Sequence, residues 1–132
     1  MKAPIGQAVL VAVVGSAVHA LLFLVVDGWM ACVVPGYRRE FADYAIRLPW
    51  ITEAVIHVST WFCNYWYVVA LVLPPLLVLD GGVLLLAWLK SGTRILGVLW
   101  FLLVAMVPTL FMMIASFSLW LAYNKLLENL SR

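Results

Sequence analysis

The chain has 132 residues, of which 67% are hydrophobic and only 11% charged, with a formal net charge of +2; its mean hydropathy is +1.10. Soluble domains are roughly 45–50% apolar, and a chain this short leaves too much of its surface outside to hide such an excess in one core. These numbers exclude a soluble globular enzyme and a disordered tail, and with no basic stripe to neutralise phosphates they exclude a nucleic-acid binder. They point to a small integral membrane protein.

In chain order, the first element is an apolar tract over residues 5–26. It exceeds the ~20 residues that a helix needs to cross a ~30 Å hydrocarbon core. Lys2 and Val18-His19-Ala20 resemble the start and cleavage site of a signal peptide, but the apolar run continues through Val26. The tract therefore reads as an uncleaved anchor helix.

Residues 27–65 form the polar region and carry Asp27, Arg38, Arg39, Glu40, Asp43, Arg47 and Glu53. Apolar residues recur at Tyr37, Phe41, Tyr44 and Leu48, and again at Ile51, Val55, Val58 and Phe62. Both series follow one face of a helix. Pro49 suits a first helical turn, and Glu53 behind it favours the helix dipole. Two short amphipathic helices with a proline break are predicted, their apolar faces on the membrane surface or against a partner. Cys32 and Cys63 flank this region. They read either as isolated thiols at the membrane edge or as a bridge closing the loop in an oxidising space.

Two more spanning tracts follow, Trp66–Leu89 and residues 95–123, joined by the polar turn Lys90-Ser91-Gly92-Thr93-Arg94. The turn makes them an antiparallel hairpin. Helices are required because every backbone polar group in lipid must be satisfied within its own segment. An amphipathic tail over 124–132 carries Leu126, Leu127 and Leu130. Trp50, Trp61, Tyr65, Trp66 and Tyr67 on the loop side, and Trp88, Trp100, Trp120 and Tyr123 near the other helix ends, read as interface aromatics, at the level where amphipathic rings meet the headgroups. The fold class expected is an all-α integral membrane protein, one membrane domain of three transmembrane helices with a two-helix amphipathic loop between the first and second. Lysines and arginines divide as Lys2, Lys90 and Arg94 on one side and Arg38, Arg39, Arg47, Lys125 and Arg132 on the other. That count does not decide the orientation.

The order Pro35, Tyr37, Phe41, Leu48-Pro49, Thr52, Ser59 and the aromatic Trp66 that opens the next helix resembles a segment of the inner-membrane platform proteins of type II secretion and type IV pilus systems, the type II secretion F-like family. The resemblance covers about residues 20–70. It implies a segment that links two transmembrane helices on the periplasmic side of the bacterial inner membrane, with a cytoplasmic N-terminus.

Asp80, in Leu79-Asp80-Gly81-Gly82, is the most unusual residue. About ten residues from Lys90, it lies ~15 Å along the helix at 1.5 Å per residue, where a carboxylate costs at least ~2.5–3.5 kcal/mol. One reading makes it a hydrogen-bonding link between helices or subunits, with Gly81 and Gly82 permitting close approach. The other makes it a proton relay, for which His19, Thr109, Ser116 and Ser118 are the further polar candidates. Pairing of His19 with Asp80 faces a depth difference of ~10 Å, counted by helix rise from the tract ends, and requires a kink. Kinks are predicted at Pro74-Pro75 and Pro108. His19 as a haem ligand lacks a second histidine within the spans, since His57 lies in the loop. No nucleophile triad, carboxylate pair, zinc spacing or phosphate loop is present. The expectation is a non-catalytic subunit without cofactor or metal. It would pack into a hetero-oligomer with other integral membrane subunits and lipid through Asp80, Gly81, Gly82 and His19, with no nucleic acid. The alternatives are a proton-relay subunit of a respiratory or photosynthetic complex using Asp80, and an assembly platform component of a secretion or pilus-like system.

Overall fold

The computed structural model describes residues 4–44 and 47–131; Lys2 and Arg132 of the charge count lie outside the described residues. Every regular element among them is helical. In chain order they are α1 (Ile5–Cys32), α2 (Val34–Asp43), α3 (Trp50–Asn64), α4 (Trp66–Leu89), a single 3₁₀ turn at Ser91–Thr93, and α5 (Arg94–Leu130). Three stretches are long and apolar enough to cross a membrane: Ile5–Asp43, Trp66–Leu89 and Arg94–Leu130. By length and composition the chain has the helices of a multi-pass membrane protein.

The α4 limits coincide with the apolar tract. The other boundaries differ from the sequence reading. α1 does not stop at Val26 but runs to Cys32, because one acid and one glycine, Asp27 and Gly28, do not end a helix that already has its hydrogen-bond ladder. The tail is not a separate element: α5 is one helix of 37 residues, ~55 Å long at 1.5 Å per residue. Leu126 is buried, whereas Leu127 and Leu130 are exposed. Pro74 and Pro75 lie inside α4 and Pro108 inside α5 without ending either helix, a tolerance common in membrane helices. Pro49 precedes the first turn of α3 as its extended N-cap residue (φ −60°, ψ 146°), with Glu53 in the turn.

Two compact units are distinguished, residues 4–24 with 67–109 and residues 25–66 with 110–131. In the second, Val26, Met30, Val34, Phe41, Val55, Ala115, Leu119 and Ala122 form an apolar core, with Tyr37, Leu48 and Phe62 packed against it. The apolar faces of α2 and α3 thus cover their own unit, rather than lying free for a membrane surface or partner. The face of α3 also differs from the expected one. Thr52, Val55 and Ser59 are buried, while Ile51 and Val58 are exposed. Membrane helices favour this arrangement, because small and hydroxyl residues let backbones approach and large apolar ones lose nothing by facing lipid. Ser59 Oγ donates to the Met30 carbonyl at 2.6 Å, and Thr52 Oγ1 donates to the Ser118 carbonyl at 3.1 Å.

Candidate functional site: a closed polar cluster around Asp80

The first unit holds the buried acid. α4 brings Asp80 against α1, one turn of which presents Ser16 and His19 on the same face, three residues apart. His19 Nδ1 lies 2.8 Å from Asp80 Oδ2, and Ser16 Oγ donates to the same oxygen at 3.2 Å. From α5, Trp100 Nε1 donates to Asp80 Oδ1 at 2.8 Å. His19 Nε2 meets the Phe101 carbonyl at 3.1 Å, and the Phe101 ring stacks on the imidazole with centroids 4.7 Å apart. His19 is 1% and Asp80 7% exposed, so these partners replace water rather than supplement it.

The hydrogen-bond pattern fixes the proton inventory. A carbonyl only accepts, so His19 Nε2 carries a hydrogen. The Nδ1–Oδ2 contact then needs exactly one more, on Nδ1 as an ion pair or on Oδ2 as a neutral pair. Either way the pair has no net charge, which is the form a spanning helix accommodates at least cost.

Close packing holds the helices in this register. A Cβ on Gly15 would stand 2.7 Å from Leu84 Cδ1, and one on Gly81 would stand 3.0 Å from Ser16 Oγ. These two contacts set α1 antiparallel to α4 with Ser16 and His19 beside Asp80. The pairing is therefore direct, against the ~10 Å depth difference expected from helix rise. That count took the tract ends as a common level, but the glycine contacts set the register. Gly82 is placed differently from its neighbour: a Cβ there would meet open space.

The sequence reading missed Ser16 as a polar candidate and took Trp100 for an interface aromatic only. The signal for Ser16 was its spacing to His19 on one helix face. Of the other candidates, Thr109 and Ser116 are exposed, Thr109 donates to the Ala105 carbonyl of its own helix and Ser118 to that of Ala115. Both ring nitrogens of His19 are engaged, leaving none for an iron. Among the described residues no group of three or more His, Cys, Asp or Glu side chains could hold a metal ion.

The loop residues that carried the resemblance lie in the second unit. Pro35 is in the first turn of α2, Tyr37 and Phe41 pack on its core, and Leu48 and Pro49 lead into α3. Thr52 and Ser59 make the hydrogen bonds given above, and Trp66 opens α4, exposed. Trp50, Trp61, Tyr65 and Trp120 are exposed; Trp88 is half-buried, with Arg94 5.9 Å above its ring. Cys32 and Cys63 are both free and exposed. Comparison with protein families, with characterised proteins and with solved structures found no match to this chain.

Proposed function

We propose that the chain is a small non-catalytic membrane subunit that packs into and stabilises a larger membrane protein complex. The observation that carries this reading is that the polar atoms of the Asp80 cluster are spent on one another and on a backbone carbonyl within the chain, while the spans themselves remain mostly uncovered. Only 11% of the most apolar window of α4, and of α5, is buried inside the molecule. The cluster acts as an internal clamp, and the outward faces are left to lipid and to neighbouring subunits. Gly82 is the point on α4 where a neighbouring helix can come closest, since small residues without a local partner permit backbone approach.

Kinship with secretion and pilus platform proteins is the narrower form of this proposal, drawn from the order Pro35, Phe41, Leu48, Pro49, Thr52, Ser59 and Trp66. It carries with it a bacterial inner membrane, a cytoplasmic N-terminus and a periplasmic α2–α3 segment. A second reading, a proton-carrying Asp80, draws on the single hydrogen that His19 and Asp80 share. Its difficulty is physical: His19 Nε2 ends on a backbone carbonyl, which cannot pass a proton onward.

Gly82→Leu tests the subunit reading. The open space around Gly82 lets the chain keep its own fold, so the variant is expected in the membrane at normal abundance but with association to its complex reduced at least tenfold (about 1.4 kcal/mol), read by co-purification in mild detergent. Undiminished co-purification would remove Gly82 as a contact.

A further inference from the structure

We propose that the groove between α2 and α3 binds the phosphodiester headgroup of an anionic phospholipid, with Arg38 and Arg39 as the phosphate ligands. The groove encloses about 350 Å³ and is lined by Arg38 and Arg39 of α2 and by Thr60, Cys63 and Asn64 of α3. Both arginines are exposed. Neither guanidinium forms an ion pair within 4.0 Å with Glu40, Asp43 or Glu53, although all three carboxylates belong to the same segment.

Arg38 is nevertheless held. Its Nη1 donates to Thr60 Oγ1 at 3.2 Å, and Thr60 gives its own hydrogen to the Ile56 carbonyl at 2.9 Å. Thr60 therefore serves as an acceptor that ties the guanidinium to the α3 wall of the groove and leaves its remaining donors open. A guanidinium presents five N–H donors in a planar fork that matches phosphate oxygens in pairs, and the Asn64 amide on the opposite wall can donate as well. Two arginines without a close carboxylate partner line one groove, one of them held by Thr60, and together they call for an anion.

Depth identifies which anion. Next to Thr60, Cys63 and Asn64 stand Trp61 on α3, Tyr65 just after it and Trp66 opening the spanning helix α4, the three rings exposed, and Trp61 lies 5.6 Å from Tyr65 and 5.5 Å from Phe62, ring centre to ring centre. Exposed tryptophan and tyrosine at the end of a spanning element mark the headgroup level of the bilayer. Lipid phosphates lie at that level, and basic residues there attract anionic lipids at about 1 kcal/mol each.

The test is native mass spectrometry of the full chain in nonionic detergent, titrated with dioleoyl-phosphatidylglycerol or dioleoyl-phosphatidylcholine. Phosphatidylglycerol is expected to bind in preference, and Arg38→Ala and Arg39→Ala each to weaken it about fivefold. Arg47→Ala, with the same loss of charge off the groove, is expected to leave it unchanged, and excess inorganic phosphate not to displace it. Equal binding of the two lipids, an equal loss with Arg47→Ala, full binding by both groove variants, or displacement by inorganic phosphate (a site for the free ion) would each overturn the proposal. Unchanged helical circular dichroism accompanies each variant, so that loss of binding is not loss of fold.

Discussion

At Asp80 the cost of placing a carboxyl group among apolar helices is offset by three donors or proton-sharing partners from two other helices. The consequence is an asymmetry between two substitutions. In Asp80→Asn the amide oxygen still accepts from Trp100 and the amide hydrogen can be given to His19 Nδ1, so a loss of no more than about 1.5 kcal/mol is expected. Asp80→Ala strands His19, Trp100 and Ser16 together, and breaking a buried pair by removing one partner costs about 3–5 kcal/mol. Unfolding of the purified variants in sodium dodecyl sulfate against a mild detergent checks the order; equal losses would mean that the cluster is not what holds these helices. An intramembrane acid with no obvious partner was legible from the sequence as a residue needing one. Which partner it takes was not, because Leu84 against Gly15 and Ser16 against Gly81 decide the register, and contacts between helices leave no periodic trace in a uniformly apolar tract.

Among the elements, α3 shows how a membrane environment changes the meaning of amphipathicity. Counting apolar residues at helical spacing selected Ile51, Val55, Val58 and Phe62, yet the helix buries Thr52 and Ser59 and turns Ile51 and Val58 outward. In water that rotation would expose apolar surface at a cost; beside lipid it costs little, and the hydroxyls gain carbonyl partners in exchange. Ser59→Ala should therefore destabilise the chain by about 1 kcal/mol. Val58→Ala, on the outward face, should change stability by less than about 0.5 kcal/mol. The same detergent titration compares them, and a larger loss at Val58 than at Ser59 would reverse the assigned face. The existence of α2 and α3 was readable from their period and from the Leu48-Pro49 break, and α4 from hydropathy alone. The reach of α1 to Cys32 and of α5 to Leu130 was not, because hydropathy reports where lipid can be tolerated, whereas the helix ends where its backbone ladder does.

For the whole molecule, three helices are long and apolar enough to span a membrane and their apolar windows stay mostly uncovered, while in the first unit a polar clamp closes on itself. On the proposed reading, a chain built this way contributes surface to a larger assembly. The decisive measurement is the mass of the particle that contains it when native membranes are dissolved in mild detergent and the chain is purified by a tag. A stoichiometric assembly with other integral membrane proteins, retained by Asp80→Asn, is the predicted result. A particle containing this chain and lipid alone, or one that turns over a substrate and loses that activity with Asp80→Asn, would contradict it.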